Sequence, residues 1–349
     1  MRRSAAPLHH EIGWGVCIVA LLAAPAVVHA EPARGAEAVD IVEITPEMRA
    51  AVEKGLAYLA QQQEGDGSFG GSRYGRNVAI TALACMAFMA DGNVPGRGPY
   101  GENVERGLNF LLNHVDESGL IAADTSHGPM YGHGFATLFL GEVYGMTGDP
   151  RARDALIKAV RLIVTTQNKE GGWRYHPVPF DADLSVTICQ VMALRSARNA
   201  GLSVPKETID RAIAYVRGSQ NADGGFRYML SGGGSAFPRS AAGVAALYYA
   251  GIYEDAALEK GLDYLMRFSR NLDSRSGGHY WYGQYYAVQA MYLAGGEYWQ
   301  EWYPLIREAL VRQQQANGQW MASHGEVYGT AMAAIVLQIP NRLLPIFQR

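Results

Sequence analysis

The chain has 349 residues, a net charge of −3, 18 % charged residues and 48 % hydrophobic ones. That balance leaves no basic field for nucleic acid, no acidic tail, and enough apolar residues for one large core. Three cysteines are too few for a disulfide framework, and Cys17 falls within the first thirty residues.

At the N-terminus Arg2 and Arg3 precede an apolar run from Trp14 to Val28, and Val28-His29-Ala30 has the small-x-small form of a cleavage site. The run is short for a bilayer span. Residues 1–30 therefore read as a signal peptide cut near Ala30, which predicts a periplasmic or secreted protein with no membrane span after cleavage. Residues 31–43 are rich in Ala, Glu and Pro and read as a linker, followed by one domain over 44–349.

The domain opens on "TPEMRAAVEKGLAYLAQQQ". Thr45 suits an N-cap, Pro46 the first helical position, and Val52, Leu56 and Leu59 form a stripe at helical spacing. The glycine-rich turn "EGDGSFGG" stops this helix. A second segment, Val78 to Ala90, is apolar all round, the mark of a buried helix. The alternation then repeats, with all-apolar segments at Phe135–Tyr144, Leu184–Ala200, Ala241–Tyr253, Tyr285–Ala294 and Val327–Ile339. Cys85 and Cys189 lie inside such segments and read as buried thiols.

Between the two kinds of helix one pattern recurs: an aliphatic residue, Gln four positions on, Gly four further, and an aromatic two beyond. Its copies are Leu59, Gln63, Gly67 and Phe69; Ile163, Gln167, Gly171 and Trp173; Val216, Gln220, Gly224 and Phe226; and Leu310, Gln314, Gly318 and Trp320. Two worn copies fill the gaps. Leu111, Gly119 and Ile121 lack the Gln, and Leu265 leads through an insertion to Gly278 and Tyr280. The turn positions 69, 121, 173, 226, 280 and 320 give a period near fifty residues, so a single helix pair is used six times. A six-bladed propeller shares that period, but segments of ten to sixteen residues at helical spacing exclude it. Small residues such as Ala82, Ala84, Ala87, Gly141, Ala193, Gly243, Ala290 and Ala331 let inner helices converge. The expected fold is all-α, an (α/α)6 toroid of six outer and six inner helices.

The Gln-x-x-x-Gly-x-aromatic positions resemble the repeat of squalene cyclases and protein prenyltransferase β-subunits, and the resemblance covers residues 45 to 340. It implies that Gln63, Gln167, Gln220 and Gln314 are structural, tying one helical layer to the next. It also implies that chemistry lies where inner helices begin. Those starts carry Arg73 and Arg76; Asp124, His127, Tyr131 and His133; His176, Asp181 and Asp183; Arg239; Trp281, Tyr282 and Gln284; and His324 and Glu326. Helix N-termini gathered at one mouth suit a polarised or anionic group.

Three chemistries of that superfamily can be tested on the residues. Class II terpenoid cyclases carry D-x-D-D before Thr or Ser, with the middle acid as proton donor. Here Asp181 and Asp183 match the first two acids, Leu184 replaces the third, and Ser185 keeps the hydroxyl. Asp183 is the candidate acid and Asp181 its companion, while the position of Asp183 before an inner helix equally suits an N-cap. Aromatic faces for a carbocation would come from Trp281, Tyr285, Tyr286, Tyr248, Tyr249 and Phe139, which also suit core filling. A prenyltransferase zinc site needs Asp, Cys and His, yet the matching positions hold Phe237-Pro238-Arg239-Ser240 and Tyr285-Tyr286, so no metal is expected. A thioester needs Cys-Gly-Glu-Gln, whereas Met86 follows Cys85 and Gln190 follows Cys189. A lyase reading would use Asp124, His127, Tyr131, His133 and Arg239.

The sequence thus leads to an exported, monomeric toroid that binds a small apolar or amphiphilic, isoprenoid-like ligand without a cofactor. Its expected contacts are Tyr131, His133, His127, His176, Arg239, Trp281, Tyr285 and Glu326. A cyclase-like isomerase using Asp183, and a rim that binds protein or carbohydrate, stand as alternatives.

Overall fold

The computed structural model describes residues 44–71, 74–123, 128–272 and 279–348. The expected signal peptide and linker lie outside the described residues, as do Arg73, Asp124, His127 and Gly278. Twelve α-helices lie among the described residues. The outer ones are α1 (Pro46–Gln61), α3 (Gly101–Asn113), α5 (Pro150–Thr165), α7 (Lys206–Gly218), α9 (Ala256–Met266) and α11 (Gly296–Gln313). The inner ones are α2 (Val78–Ala90), α4 (Met130–Thr147), α6 (Leu184–Asn199), α8 (Phe237–Tyr249), α10 (Tyr280–Ala294) and α12 (Glu326–Gln338).

Each inner helix packs on the next, and α12 packs on α2, which closes the ring. Each of α3, α5, α7, α9 and α11 packs on the inner helix before it, and α1 packs on α12. The inner helices are buried almost throughout, while the outer helices bury one stripe each, Val52, Leu56 and Leu59 in α1 for example. That division follows from the two hydrophobic patterns in the sequence.

The four strict turns are built alike. Gln167 Nε2 donates to Gly171 O at 2.8 Å and to Thr208 O of α7 at 2.9 Å. Gln63, Gln220 and Gln314 make the same pair of bonds, within their own turn and to the next outer helix. The bond from Gln314 Nε2 to Ala51 O, 2.8 Å long, joins the last unit to the first. Gly171 has φ +98° and lies so close to α7 that a Cβ there would stand 2.2 Å from Arg211 O. Only glycine meets both conditions. Trp173 and Trp320 then cover their own outer helices, donating Nε1–H to Ile163 O and Leu310 O.

Three inner helices, α4, α8 and α10, begin earlier than the apolar runs suggested. Glycines sit inside two of these early turns where a neighbour occupies the Cβ position: Gly132 meets Val78 of α2 at 2.4 Å, and Gly283 meets Phe237 of α8 at 2.8 Å. Tyr280, expected in a fifth turn, is instead the first residue of α10. The C-terminal ends of the inner helices are covered by the last segment of the chain. Gln338 and Asn341 donate to Ala87 O and Ala90 O of α2. Ile346 N–H donates to the buried Glu142 carboxylate at 2.9 Å, beside the Ser196 hydroxyl at 2.6 Å. Cys85 and Cys189 are free and buried.

Candidate functional site

At the N-terminal ends of the inner helices the ring holds a cavity of about 300 Å³. The first turns of α2 supply Asn77, Val78, Ile80 and Leu83; α4 supplies Tyr131, Gly132 and Phe135. Tyr282 of α10 and Tyr328 of α12 complete the wall, and Tyr74, Tyr175, His279 and His324 form the rim. Ile80, Leu83 and Phe135 are buried, so the floor is apolar and the more polar groups lie outward. Tyr74 stacks on His324 with ring centroids 5.6 Å apart.

The cavity is not on the ring axis. Tyr282 Oη reaches from α10 to Ser185 O of α6 at 3.0 Å, and Tyr286 Oη lies 3.3 Å from Cys189 Sγ. Helix α8 separates α10 from α6 in the ring, so these tyrosines bridge past α8, and among the described residues the cavity lies next to α2, α4 and α12.

Asp183 lies near Tyr131 and Tyr228, outside the cavity lining. Its backbone is extended, its side chain is fully buried, and its Oδ1 accepts the Val186 N–H at 2.9 Å as the N-cap of α6. Oδ2 has no hydrogen bond of ordinary geometry; Arg174 Nε is 3.7 Å away. Burial pushes the carboxyl up to about 6, against the opposing effects of the Val186 N–H, the nearby Tyr228 hydroxyl and the Arg174 guanidinium. Asp181 is half-buried and pairs with Arg174. Tyr175 and Tyr228 are bonded through their hydroxyls, and Tyr175 faces the cavity. Asp183 itself does not line the cavity. Burial, with the Asp183 charge next in effect, raises the Tyr131 phenol well above its ordinary value.

Of the residues expected to contact a ligand, Tyr131 lines the cavity. His133 is fully buried: its Nδ1 accepts the Ile121 N–H at 3.2 Å, and Nε2 lies 3.3 Å from Ala159 O. It does there what a hydroxyl does elsewhere, since Thr81, Thr187, Ser240 and Thr330 accept the corresponding N–H of Phe69, Trp173, Phe226 and Trp320. Burial lowers the His133 imidazole to about 4. Arg239 bonds Phe226 O and Gly234 O, and Trp281 Nε1 donates to Met321 O. Tyr285 is fully buried with its ring edge against Phe135, His176 is exposed, and Glu326 opens α12; none of these lines the cavity. Tyr248, Tyr249 and Phe139 are buried in the ring. Sequence reasoning missed Tyr74, Tyr175 and Tyr328 as cavity residues. Tyr328 lies in the first turn of α12, while Tyr74 and Tyr175 lie in the loops before α2 and α6, and tyrosines at such places are shared by core positions. Among the described residues no group of three His, Cys, Asp or Glu is placed to hold a metal, and no helix is long and apolar enough to cross a membrane.

The sequence matches no protein-family profile. A curated relative, drimenyl diphosphate synthase of Streptomyces showdoensis, is 31 % identical over 183 residues, 51 % of this chain and 32 % of that protein. The match thus spans about a third of that relative's length. Solved structures share the architecture. The type II terpene cyclase MstE from Scytonema superposes with a TM-score of 0.62 at 14 % identity, over 86 % of this chain and 100 % of that one. The same cyclase has been solved with geranylgeranyl dihydroxybenzoate as substrate. An α-1,6-mannanase variant from Salegentibacter in complex with α-1,6-mannotriose gives a TM-score of 0.64 at 7 % identity, over 85 % and 99 %. Because a terpene cyclase and a glycosidase superpose equally well, the likeness speaks to the ring and not to its chemistry. In fold, the chain is an (α/α)6 toroid, the architecture it shares with these structures.

Proposed function

We propose that the chain is an exported toroid that binds an apolar or amphiphilic, isoprenoid-like small molecule in the off-axis cavity. The observation that carries this reading is the cavity itself: an apolar floor of Ile80, Leu83 and Phe135 under a tyrosine and histidine rim. Such a site takes a hydrocarbon inward and a polar end outward, and its volume is at the lower end of ordinary ligand pockets. The isoprenoid substrate of the superposable terpene cyclase supports the choice of ligand class. Export rests on the apolar run and cleavage site before Glu31.

Isothermal titration of the purified protein with farnesol and, separately, with mannotriose tests the reading. Farnesol is expected to bind and Tyr131→Ala to weaken it about tenfold, as loss of a buried aromatic contact does. Binding of mannotriose without farnesol would favour the carbohydrate alternative.

The second reading, a cyclase using Asp183, draws on one observation, a buried carboxyl that stays protonated to about pH 6. Against it, the carboxyl caps a helix and does not line the cavity. On the binding reading, neither the natural chain nor Asp183→Asn yields a cyclised product from squalene or farnesol. A product from the natural chain that vanishes in Asp183→Asn would establish the acid role instead.

A further inference from the structure

Four aromatic rings form a continuous partition across the lumen. Tyr282 lies edge-on to Tyr286 with centroids 4.7 Å apart, Tyr286 to Tyr285 at 4.9 Å, and Tyr285 to Phe135 at 6.0 Å. The two ends of this ladder, Tyr282 and Phe135, face the cavity, while Tyr285 and Tyr286 are fully buried. Against it lie Cys189, in contact with the Tyr286 hydroxyl, and Ser185 in the N-terminal turn of α6, whose carbonyl accepts the Tyr282 hydroxyl. Within the ladder itself, the buried Tyr285 Oη has no hydrogen-bond partner. Buried polar atoms are rarely left so without a cause.

The ladder is held at one point at its open end. Tyr286 and Tyr285 are packed on all sides, but Tyr282 is only half-buried, and its hydroxyl is fixed by the single bond to Ser185 O. Of the ladder's four rings, Tyr282 and Phe135 are the two that an occupant of the cavity touches. We propose that Tyr282 is the specificity-determining residue of the site. It ends the cavity short of α6, sets the length of hydrocarbon that can enter, and keeps the ligand away from Cys189. This rests on the ligand-binding reading for the nature of the occupant, but the partition can be tested without a ligand.

The experiment has two arms, run on the full chain, on Tyr282→Ala, and on Tyr282→Leu, which keeps apolar bulk if the alanine variant does not fold. In the first, a small thiol reagent is added and Cys189 modification is followed by peptide mass spectrometry, with the buried Cys85 as internal reference. Reactivity follows access, so opening the partition is expected to speed Cys189 modification about tenfold while Cys85 stays unchanged. In the second, geraniol, farnesol and geranylgeraniol are titrated. The truncated variants are expected to shift preference toward the longest alcohol by about tenfold relative to the natural chain, because more apolar surface can be covered. A folded variant with unchanged Cys189 reactivity and an unchanged order of alcohols would overturn the proposal. If no alcohol binds any form, the ligand reading fails, and the thiol arm alone decides whether Tyr282 closes the lumen.

Discussion

The second and third turns of the ring perform one structural task with different residues. In the third, Gln167 bonds its own turn and α7, Gly171 allows the close approach, and Thr187 accepts the Trp173 N–H. In the second, Val115 stands where the glutamine would be, Gly119 is retained with φ +91° against Lys158 O, and His133 accepts the Ile121 N–H. Val115 still pairs with Ile121 as Gln220 pairs with Phe226, so the backbone path is conserved where the side chain is lost. Backbone geometry is therefore the invariant of the unit. Glycine cannot be replaced, the acceptor can be a hydroxyl or an imidazole, and the glutamine contributes stability without being required.

The largest break in the comparison should come at glycine. Gly171→Ala combines a left-handed backbone with a Cβ overlapping Arg211 O, and is expected to cost about 4 kcal/mol. Gly201 has a similar φ of +89° but nothing near its Cβ position, so Gly201→Ala should cost only about 1 kcal/mol. Urea denaturation of the two variants separates close approach from strain, and equal costs would show that the packing against α7 contributes nothing.

The imidazole gives the second turn a pH dependence that the hydroxyl turns lack. His133 is neutral in the folded chain down to about pH 4, whereas its ordinary value is 6.5. Below 6.5 the unfolded chain binds the extra proton, so this contribution to stability is complete above that pH and is lost on the way down to 4. Over that interval the loss approaches about 3 kcal/mol. Asp183 and Glu142, both raised by burial, act in the opposite sense, so the test must be a difference. Subtracting the unfolding free energies of His133→Thr from those of the natural chain between pH 4 and 7 isolates the histidine. A difference that does not vary with pH would refute its neutral, buried state.

His133 also shows what could and could not be read in the sequence. The helix pairs, the turns and the ring followed from two hydrophobic patterns and one recurring spacing, because those depend on neighbours along the chain. The cavity depends on contacts across the ring. That Tyr282 reaches Ser185, or that Tyr328 faces an opening while Tyr285 does not, follows from helix rotation and from which small residue lies opposite. Residue chemistry was a poor guide there: His133 and Arg239 drew attention as reactive types, and both hold backbone groups. Asp183 kept the double reading it had in the sequence, a helix cap with a raised carboxyl.

Removing a glutamine should cost less than Gly171→Ala or the protonation of His133. Gln167→Ala deletes two bonds at 2.8 and 2.9 Å and leaves Gly171 O and Thr208 O to find other partners. The expected loss is about 2 kcal/mol by urea denaturation. A loss within error would mean that the turn is held by its glycine and aromatic alone.

The converse substitution is the smallest effect and the most direct test of the unit. Val115 is half-buried and occupies the glutamine position of a turn whose backbone bridge matches that of the Gln220 turn. In that frame Val115→Gln places an amide beside Gly119 O and the first turn of α5, where the equivalent amide of Gln220 finds Gly224 O at 3.0 Å and Ala257 O at 2.8 Å. The gain from two new bonds is reduced by the lost apolar contact of valine and by the cost of ordering a longer side chain. A net stabilisation of about 1 kcal/mol is expected, read as a rise in the urea midpoint with an unchanged slope. If the variant is destabilised instead, the second turn has drifted beyond side-chain replacement, and its worn state is part of how α3, α4 and α5 fit together.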